Sequence, residues 1–466
     1  MCNKPINTGA LNNESINSKS SDNPSSPPTS ELPPSIWRLA WPTTIANLLL
    51  ASIGFIQIVM STQYGSDATA AMTVSQRIFF LLQSTLFGLS AGVSAIIARH
   101  IGANDKHRAG QAFQSAMLLS FIISVLLAIL CYIYAANLTQ WFGMNEETQA
   151  LAIILIRWIC LFSPIYSINI IIAGSLRAGG DAFHPLILAI VSSVGNGLGC
   201  YAFSTGSLGA PNLGIEGLIV GGVVGSVISL FFYVAMWRKN RLLLPFPQKS
   251  EYRKKTLTLL RIGMPSAIEQ SIIQIGFLIF TIAIASYGLD VLAAYGLGLN
   301  VLTLLLITSL AFSMSGAVAV GQYLGRGEPE KAYHQGWAAW RMCVVFMTFF
   351  AILFFIFNHQ IAAWLTDDEV VQQYTAQFLV IIALSMPLIA TDFTIGGAIR
   401  GAGDTTYPLK ISLYTLLIIR IVLPFVFIHF HWSFLTLFAL TGADFLIKAI
   451  FMTRYFRSKR WQKTTI

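Results

Sequence analysis

The sequence predicts an all-α polytopic membrane protein, with twelve transmembrane helices in two six-helix, pseudo-symmetric lobes. Three observations lead there. Of 466 residues, 55% are hydrophobic and only 11% charged, whereas soluble domains carry about 25% charge. From Ile36 onward, apolar stretches alternate with short polar breaks, and each stretch reaches the ~20 residues that cross the hydrocarbon. The second half of the chain then repeats the first in one register. Composition excludes a soluble globular domain, a collagen, a coiled coil and a wholly disordered chain.

The elements follow in order. Residues 1–35 are rich in Ser, Asn and Pro and hold no apolar run, so they read as a disordered cytoplasmic tail and not as a signal peptide. Twelve spans follow, at 36–61, 68–98, 109–136, 148–174, 184–204, 215–237, 260–286, 292–323, 335–357, 370–398, 408–430 and 433–455. None has the dyad alternation of barrel strands. The second and eighth are long enough to tilt or to extend into water. The N-lobe is then 36–237, a basic connection 238–259, the C-lobe 260–457 and a basic tail 458–466.

Charge placement orients the spans. Of 29 Lys and Arg, 24 lie at the chain ends or around the loops after spans 2, 4, 6, 8 and 10. The remaining five (Arg77, Arg157, Arg341, Arg420 and Lys448) are inside apolar runs. The alternate loops hold no basic residue but carry Asp67, Glu146, Glu147, Glu216, Asp290, Asp367, Asp368 and Glu369. This positive-inside pattern predicts two cytoplasmic termini and an even number of crossings. The net charge of +9 therefore reports topology and contact with anionic lipid; no nucleic-acid partner is expected.

The repeat has an offset of 223 residues. Pro42 matches Pro265, Tyr64-Gly65 matches Tyr287-Gly288, Asp67 matches Asp290, Trp141 matches Trp364, and Pro164 matches Pro387. Arg177-Ala-Gly-Gly-Asp181 matches Arg400-Gly-Ala-Gly-Asp404, and Pro185-Leu186 matches Pro408-Leu409. Each copy has an even number of crossings, so the halves are parallel repeats about an axis along the membrane normal. Two such lobes enclose a central cleft, and rocking of one against the other predicts a secondary transporter.

At this point the chain resembles the MATE (multidrug and toxic compound extrusion) transporters over nearly all of residues 36–461. The resemblance rests on Leu39-Ala-Trp-Pro42 and Gly263-Met-Pro265 opening spans 1 and 7, and on Gly102-Ala-Asn-Asp105 and Gly325-Arg-Gly-Glu328 after spans 2 and 8. The turns at Arg177 and Arg400 and the ending Arg454-Tyr-Phe-Arg-Ser458 with Trp461 complete it. It implies export of cationic or amphipathic compounds from the cell across the inner membrane, in exchange for protons or sodium. Many bacterial members carry an acid late in helix 1. Here that position is Gln57, and an amide cannot release a proton near neutral pH.

Only three acids lie in the interior of the spans, away from their ends: Glu269, Asp392 and Asp444, all in the C-lobe. A charge at the bilayer centre costs about 2.5–3.5 kcal/mol on insertion scales, so each needs a partner, a proton or water. Their asymmetry suggests one lobe for ion coupling, since Ala46 opposes Glu269 in the repeat and Asn169 opposes Asp392. Glu269 lies four residues after Pro265, where a helix break can leave carbonyls free, and Gln270 and Gln274 follow it at i, i+4 spacing. A desolvated carboxylate there could bind a proton, or a sodium ion with carbonyl help, or contact substrate; an interhelical hydrogen bond that fixes packing is the alternative. The sodium-coupled members of the family place the helix 10 acid about one turn before Asp392, near Ile389, so the role carries over and the register does not; pairing with Arg420 is the alternative. Asp444 and Lys448, at i, i+4, predict mutual neutralisation. Arg77 and Arg157 suggest snorkelling or helix contacts, but Arg77 in the cleft would point to a neutral or anionic substrate. Gln57, Asn169 and Asn300 complete the candidate set.

Other signals are weaker. Gly88-Leu-Ser-Ala-Gly92 fits a hydrolase elbow, which needs a strand-to-helix turn; inside an apolar helix it reads as a close helix contact, as do Gly217, Gly221 and Gly225. No Walker sequence, HExxH or cysteine cluster occurs, so neither an ATP-driven pump nor metal catalysis is expected. The chain reads as a monomeric carrier without a cofactor, and not as an enzyme or a channel. The alternative is a lipid or oligosaccharide flippase of the same architecture.

Overall fold

The computed structural model describes residues 35–140, 142, 144–239 and 252–464. The expected disordered tail and most of the basic connection lie outside these residues. In lipid every backbone polar group must be satisfied within the segment, and among the described residues the secondary structure is helical throughout, with no strand.

Among the described residues twelve helices are long and apolar enough to cross a membrane. They are α1 (Ile36–Ser61), α2 (Ser66–Gly102), α3 (Lys106–Ile133), α4 (Glu146–Ala178), α5 (Phe183–Thr205) and α6 (Glu216–Arg238). The second six are α7 (Tyr252–Ala285), α8 (Leu289–Gly325), α9 (Pro329–Ile356), α10 (Glu369–Gly401), α11 (406–429) and α12 (Phe434–Arg457). Most extend beyond the expected spans, because polar flanking residues cap them. Asp105 accepts from the Arg108 N–H, Asn145 from Thr148, and Asp368 from Val370 and Val371. Helix α7 starts at Tyr252, inside the expected basic connection.

The duplication reaches the backbone. Left-handed φ occurs at Gly65 and Gly288, Asn104 and Gly327, Gly180 and Gly403, and Leu208 and His431. Each pair carries the 223-residue offset. Gly65 and Gly288 have φ of 98° and 114° at the starts of α2 and α8, which a side chain would resist. The Asp of each Arg-x-x-Gly-Asp turn caps the next helix: Asp181 accepts from the His184 N–H, and Asp404 from that of Tyr407. Two short helices that sequence periodicity missed, Ala135–Gln140 and Asn358–Leu365, begin 223 residues apart. Trp364 on the second is 94% exposed, as suits an interfacial anchor.

Each lobe has its own core. In the C-lobe, Tyr295, Phe378 and Phe438 pack ring on ring with centroids 4.6–6.2 Å apart, worth about 0.5–1.5 kcal/mol per pair beyond burial. In the N-lobe, Phe113 anchors a cluster of α2, α3 and α4 side chains, and Gly217, Gly221 and Gly225 let α6 lie directly on the α5 backbone. The basic tail is docked: Trp461 is fully buried, stacks on Phe456 at 4.8 Å and donates to the Phe456 carbonyl at 2.8 Å.

Candidate functional site

The two lobes meet where α1 and α2 pack on α7 and α8. Thr85 of α2 contacts Ser271 of α7, hydroxyl to hydroxyl at 3.0 Å. Beyond it, toward the loops that carry the basic residues, the contact tightens. A Cβ on Gly88 would fall 2.3 Å from the Ser266 carbonyl, and one on Gly102 2.0 Å from that of Gln322. The hydrolase-like sequence around Ser90 is thus a packing surface. Gln322 donates to the Ala178 carbonyl at 2.9 Å, and Arg99 to that of Thr464 at 2.7 Å, both across the lobes. The inter-lobe hydrogen bonds of Thr85, Arg99 and Gln322 thus run from Thr85 toward this basic-loop end.

Toward the other end the same faces are open. Arg77 lies eleven residues before Gly88, within about 20° of it on the helix. It therefore continues the stripe of α2 that faces the C-lobe, and there Arg77 and Leu81 are exposed. Asn300 and Leu304 are exposed on the facing stripe of α8. The lobes form a cleft sealed at the basic-loop end and splayed at the acidic-loop end.

Helix α7 separates two of the sequence-predicted groups. Gln270 and Gln274 fall within about 20° of Gly263 on the helix, so they lie on the inter-lobe face. Glu269 points about 120° away, into the C-lobe. The helix runs unbroken through Pro265, so Glu269 meets an arginine and not the freed carbonyls expected of a break. Arg400 Nη1 donates to Glu269 Oε1 at 2.9 Å, and the Ser412 hydroxyl lies 3.4 Å from the same oxygen. Glu269 is 2% exposed.

A second cluster lies deeper in the C-lobe. Asp444 Oδ2 accepts from Arg420 Nε at 3.0 Å, Arg420 Nη2 at 2.8 Å and Lys448 Nζ at 3.2 Å. The i, i+4 pair with Lys448 is made, with Arg420 as a third member. Arg420 does not pair with Asp392, the alternative considered from sequence. It sits in a π-helical stretch of α11, Leu416–Val422, which turns its guanidinium onto Asp444 and over the Phe277 and Phe280 rings at 4.7 and 5.1 Å. The repeat-mate segment in α5 is regular helix.

Asp392, Asp444, Arg420 and Lys448 share a cavity with Ser412 and the apolar side chains of Ile272, Ile273, Phe277, Leu306, Phe393, Leu416 and Phe445. Its free space is about 30 Å³, room for one or two waters and too little for an organic substrate. Among the described residues no ion pair or hydrogen bond closes on Asp392, whereas Glu269 and Asp444 are both held by cations.

The remaining candidates lie elsewhere. Gln57 is buried inside the N-lobe, donating to the Leu218 carbonyl at 2.9 Å and accepting from Gln76 at 2.5 Å. Asn169 donates to the Ile165 and Ser226 carbonyls, both at 3.2 Å. Both amides tie N-lobe helices together. Arg157 lies over the Tyr132 ring at 5.2 Å, joining α4 to α3. Sequence reasoning missed Arg400 and Arg177 as site residues. Both lay in a turn motif whose glycines and aspartate drew attention, while the arginines point inward and are buried. Their repeated position in the last turns of α4 and α10 was the available signal.

Comparison with known proteins adds to this geometry. The family model MatE matches the chain twice, at residues 42–202 and 265–426. The chain is 24% identical over 434 residues to a probable multidrug resistance protein NorM of Thermotoga maritima, covering 92% of this chain and 93% of the relative. It is 26% identical to the multidrug resistance protein NorM of Burkholderia vietnamiensis, covering 81% and 83%. Among solved structures, the Vibrio cholerae MATE transporter VcmN in its bent form superposes with a TM-score of 0.82 at 21% identity, covering 92% and 98%. A Pyrococcus furiosus transporter of the MOP superfamily, described as having a binding pocket of reversed polarity, superposes with a TM-score of 0.84 at 20% identity, covering 92% and 96%.

Proposed function

The chain belongs to the MATE family of membrane transporters, and on that premise we propose that it is a proton-coupled antiporter exporting amphipathic organic compounds by alternating access. The observation that carries this reading is the one-sided seal between the lobes. With the basic loops in the cytoplasm, the seal faces the cell interior and the cleft opens outward. Parting at Gly88, Gly92 and Gly325 with closure near Arg77 and Asn300 produces the opposite state, so substrate lodged between the lobes crosses without a continuous pore. Both termini are then cytoplasmic, in an inner membrane.

The C-lobe cavity is the coupling site. Hard cations such as sodium take several oxygen ligands. Here Asp444 already holds two cations, Glu269 holds Arg400, and the cavity adds only the Ser412 hydroxyl and Asp392. A proton needs one acceptor, and Asp392 is the acid without a fixed partner. Helix α10 carries both Asp392 and Arg400, and Arg400 grips α7 through Glu269. Since α7 presents Gly263, Gln270 and Gln274 to α2, a change of charge at Asp392 reaches the inter-lobe surface through two helices.

One observation favours a second reading. Arg77 on the cleft wall suits a carrier of anionic lipid or lipid-linked oligosaccharide, and a relative of the same fold is described as having reversed pocket polarity. Transport in proteoliposomes separates the readings. Export of small amphipathic dyes driven by an imposed proton gradient, and lost in Asp392→Asn, supports the antiporter. Export driven by sodium alone, or at wild-type rate in Asp392→Asn, overturns the coupling assignment; lipid translocation without dye export supports the flippase.

A further inference from the structure

We propose that the N-lobe wall of the cleft binds an anionic group on the transported compound, through Arg177 at the sealed end and Arg77 at the splayed end. This rests on the transport reading above and assigns its substrate class.

The starting point is a broken symmetry. Arg177 and Arg400 are repeat-mates. Arg400 is neutralised by Glu269 at 2.9 Å, but the N-lobe position equivalent to Glu269 is Ala46. Arg177 is nonetheless only 6% exposed. Its Nε has no hydrogen-bond partner, and among the described residues no carboxylate pairs with it. It lies at the inter-lobe seam, lining a small gap with Leu39 and Thr43 of α1 and Met314, Ser315 and Val318 of α8. A guanidinium buried without a counter-charge is unfavourable, so this state holds a cation ready for an anion that the chain itself does not supply.

The seam is the part of the cleft that opens when the lobes part at the basic-loop end. Arg177 then becomes accessible, further along the N-lobe wall than Arg99, to a compound entering from that side. The wall toward the opposite end carries no acid in the interior of any N-lobe span. At its far end stands Arg77, exposed on the C-lobe-facing stripe of α2. Between them the lining is neutral, with Thr85 and Leu81 from α2 and Gln270 and Gln274 from α7. One guanidinium is thus available in each state, at the end that is open. Arginine matches the planar geometry of a carboxylate and the oxygens of a phosphate, and the apolar lining suits an attached hydrocarbon or aromatic body. The ligand class is therefore an amphiphile with an acidic head, zwitterions included.

The test uses the full chain in proteoliposomes under a proton gradient, with three fluorescent probes: an amphipathic organic carboxylate, a short-chain phosphatidylglycerol and a permanently cationic dye. The expected result is export of the carboxylate. Arg177→Gln and Arg77→Gln should each lower the ratio of carboxylate to cationic dye export at least tenfold, and Arg177→Lys should restore part of it. Binding of the carboxylate to detergent-solubilised protein, read by tryptophan fluorescence, should weaken in the same order among variants that elute as single species. Response to phosphatidylglycerol alone assigns the acidic head to lipid and supports the same anion site. Export of the cationic dye alone, with the ratio unchanged in both Gln variants, overturns the proposal and leaves the antiporter reading intact. Failure of all three probes to move overturns the antiporter reading and the proposal with it.

Discussion

Gly92 of α2 and Gly263 of α7 meet so closely that a Cβ on Gly92 would fall 2.6 Å from the Gly263 Cα. The contact is backbone on backbone, so no flexible side chain can yield. The seal at the basic-loop end therefore depends on the absence of a side chain at this point. Gly92→Leu should hold the lobes apart on that side. A cysteine placed at Ser315, in the seam, should then react faster with an impermeant maleimide added to the basic-loop side, and export should fall at least tenfold. Gly92→Ala should fall between. Unchanged labelling in Gly92→Leu would mean that the seal does not lie here.

The Asp444 cluster predicts a sharp difference between two aspartates in one cavity. Asp444→Asn leaves Arg420 and Lys448 buried without their carboxylate, and breaking a buried pair in this way costs about 3–5 kcal/mol. Asp392→Asn removes no ion pair, so its melting temperature in detergent should stay close to that of the parent while proton-driven export is lost. Equal destabilisation by the two substitutions would show that Asp392 is structural.

The pair formed by Glu269 and Arg400 should behave as a unit. Each of Glu269→Gln and Arg400→Gln strands the other charge, and the double variant strands neither. A double-mutant cycle on thermal stability should therefore give a coupling of about 0.5–3 kcal/mol, the range for contacting residues. Additive single effects would mean that the two charges do not meet in the folded protein.

How much of this was legible in the sequence differs from residue to residue. The twelve helices were, because a lipid environment leaves a long apolar run few other structures. The two lobes were, because Pro42 and Pro265 or Arg177 and Arg400 repeat in register. The backbone repeat continues at Leu208 and His431, where side chains share nothing and no sequence comparison could find it. Glu269, Asp392 and Asp444 stood out as rare intramembrane acids, but their partners did not. Arg420 lies 28 residues after Asp392 and 24 before Asp444, and only the π-helical stretch of α11 decides between them. Gln270 and Gln274 were correctly placed on one helix face, yet which lobe that face met depended on Gly88 and Gly92 in another helix. Short helices such as Ala135–Gln140 have too few turns to display a period.

The C-terminal segment acts on the same seal as Gly92, through a different bond. Arg99 lies in the last turn of α2 in the N-lobe, and its Nη1 reaches the Thr464 carbonyl of the docked tail at 2.7 Å and the Ala402 carbonyl of the C-lobe at 3.4 Å. Thr464 is held in place because Trp461, three residues earlier, is buried against Phe456. A hydrogen bond from a charged donor is worth about 1.5–3 kcal/mol. Its loss should shift the lobes toward opening at this end by about ten- to a hundredfold. Arg99→Ala, and Trp461→Ala acting through Thr464, should each accelerate maleimide labelling at Ser315→Cys. Lys459→Ala is the control. Lys459 pairs with Glu330 within the C-lobe at 2.6 Å, and so exposed a pair is worth little, so labelling should not change. Acceleration in the control, or none in Arg99→Ala, would separate the C-terminal segment from the seal.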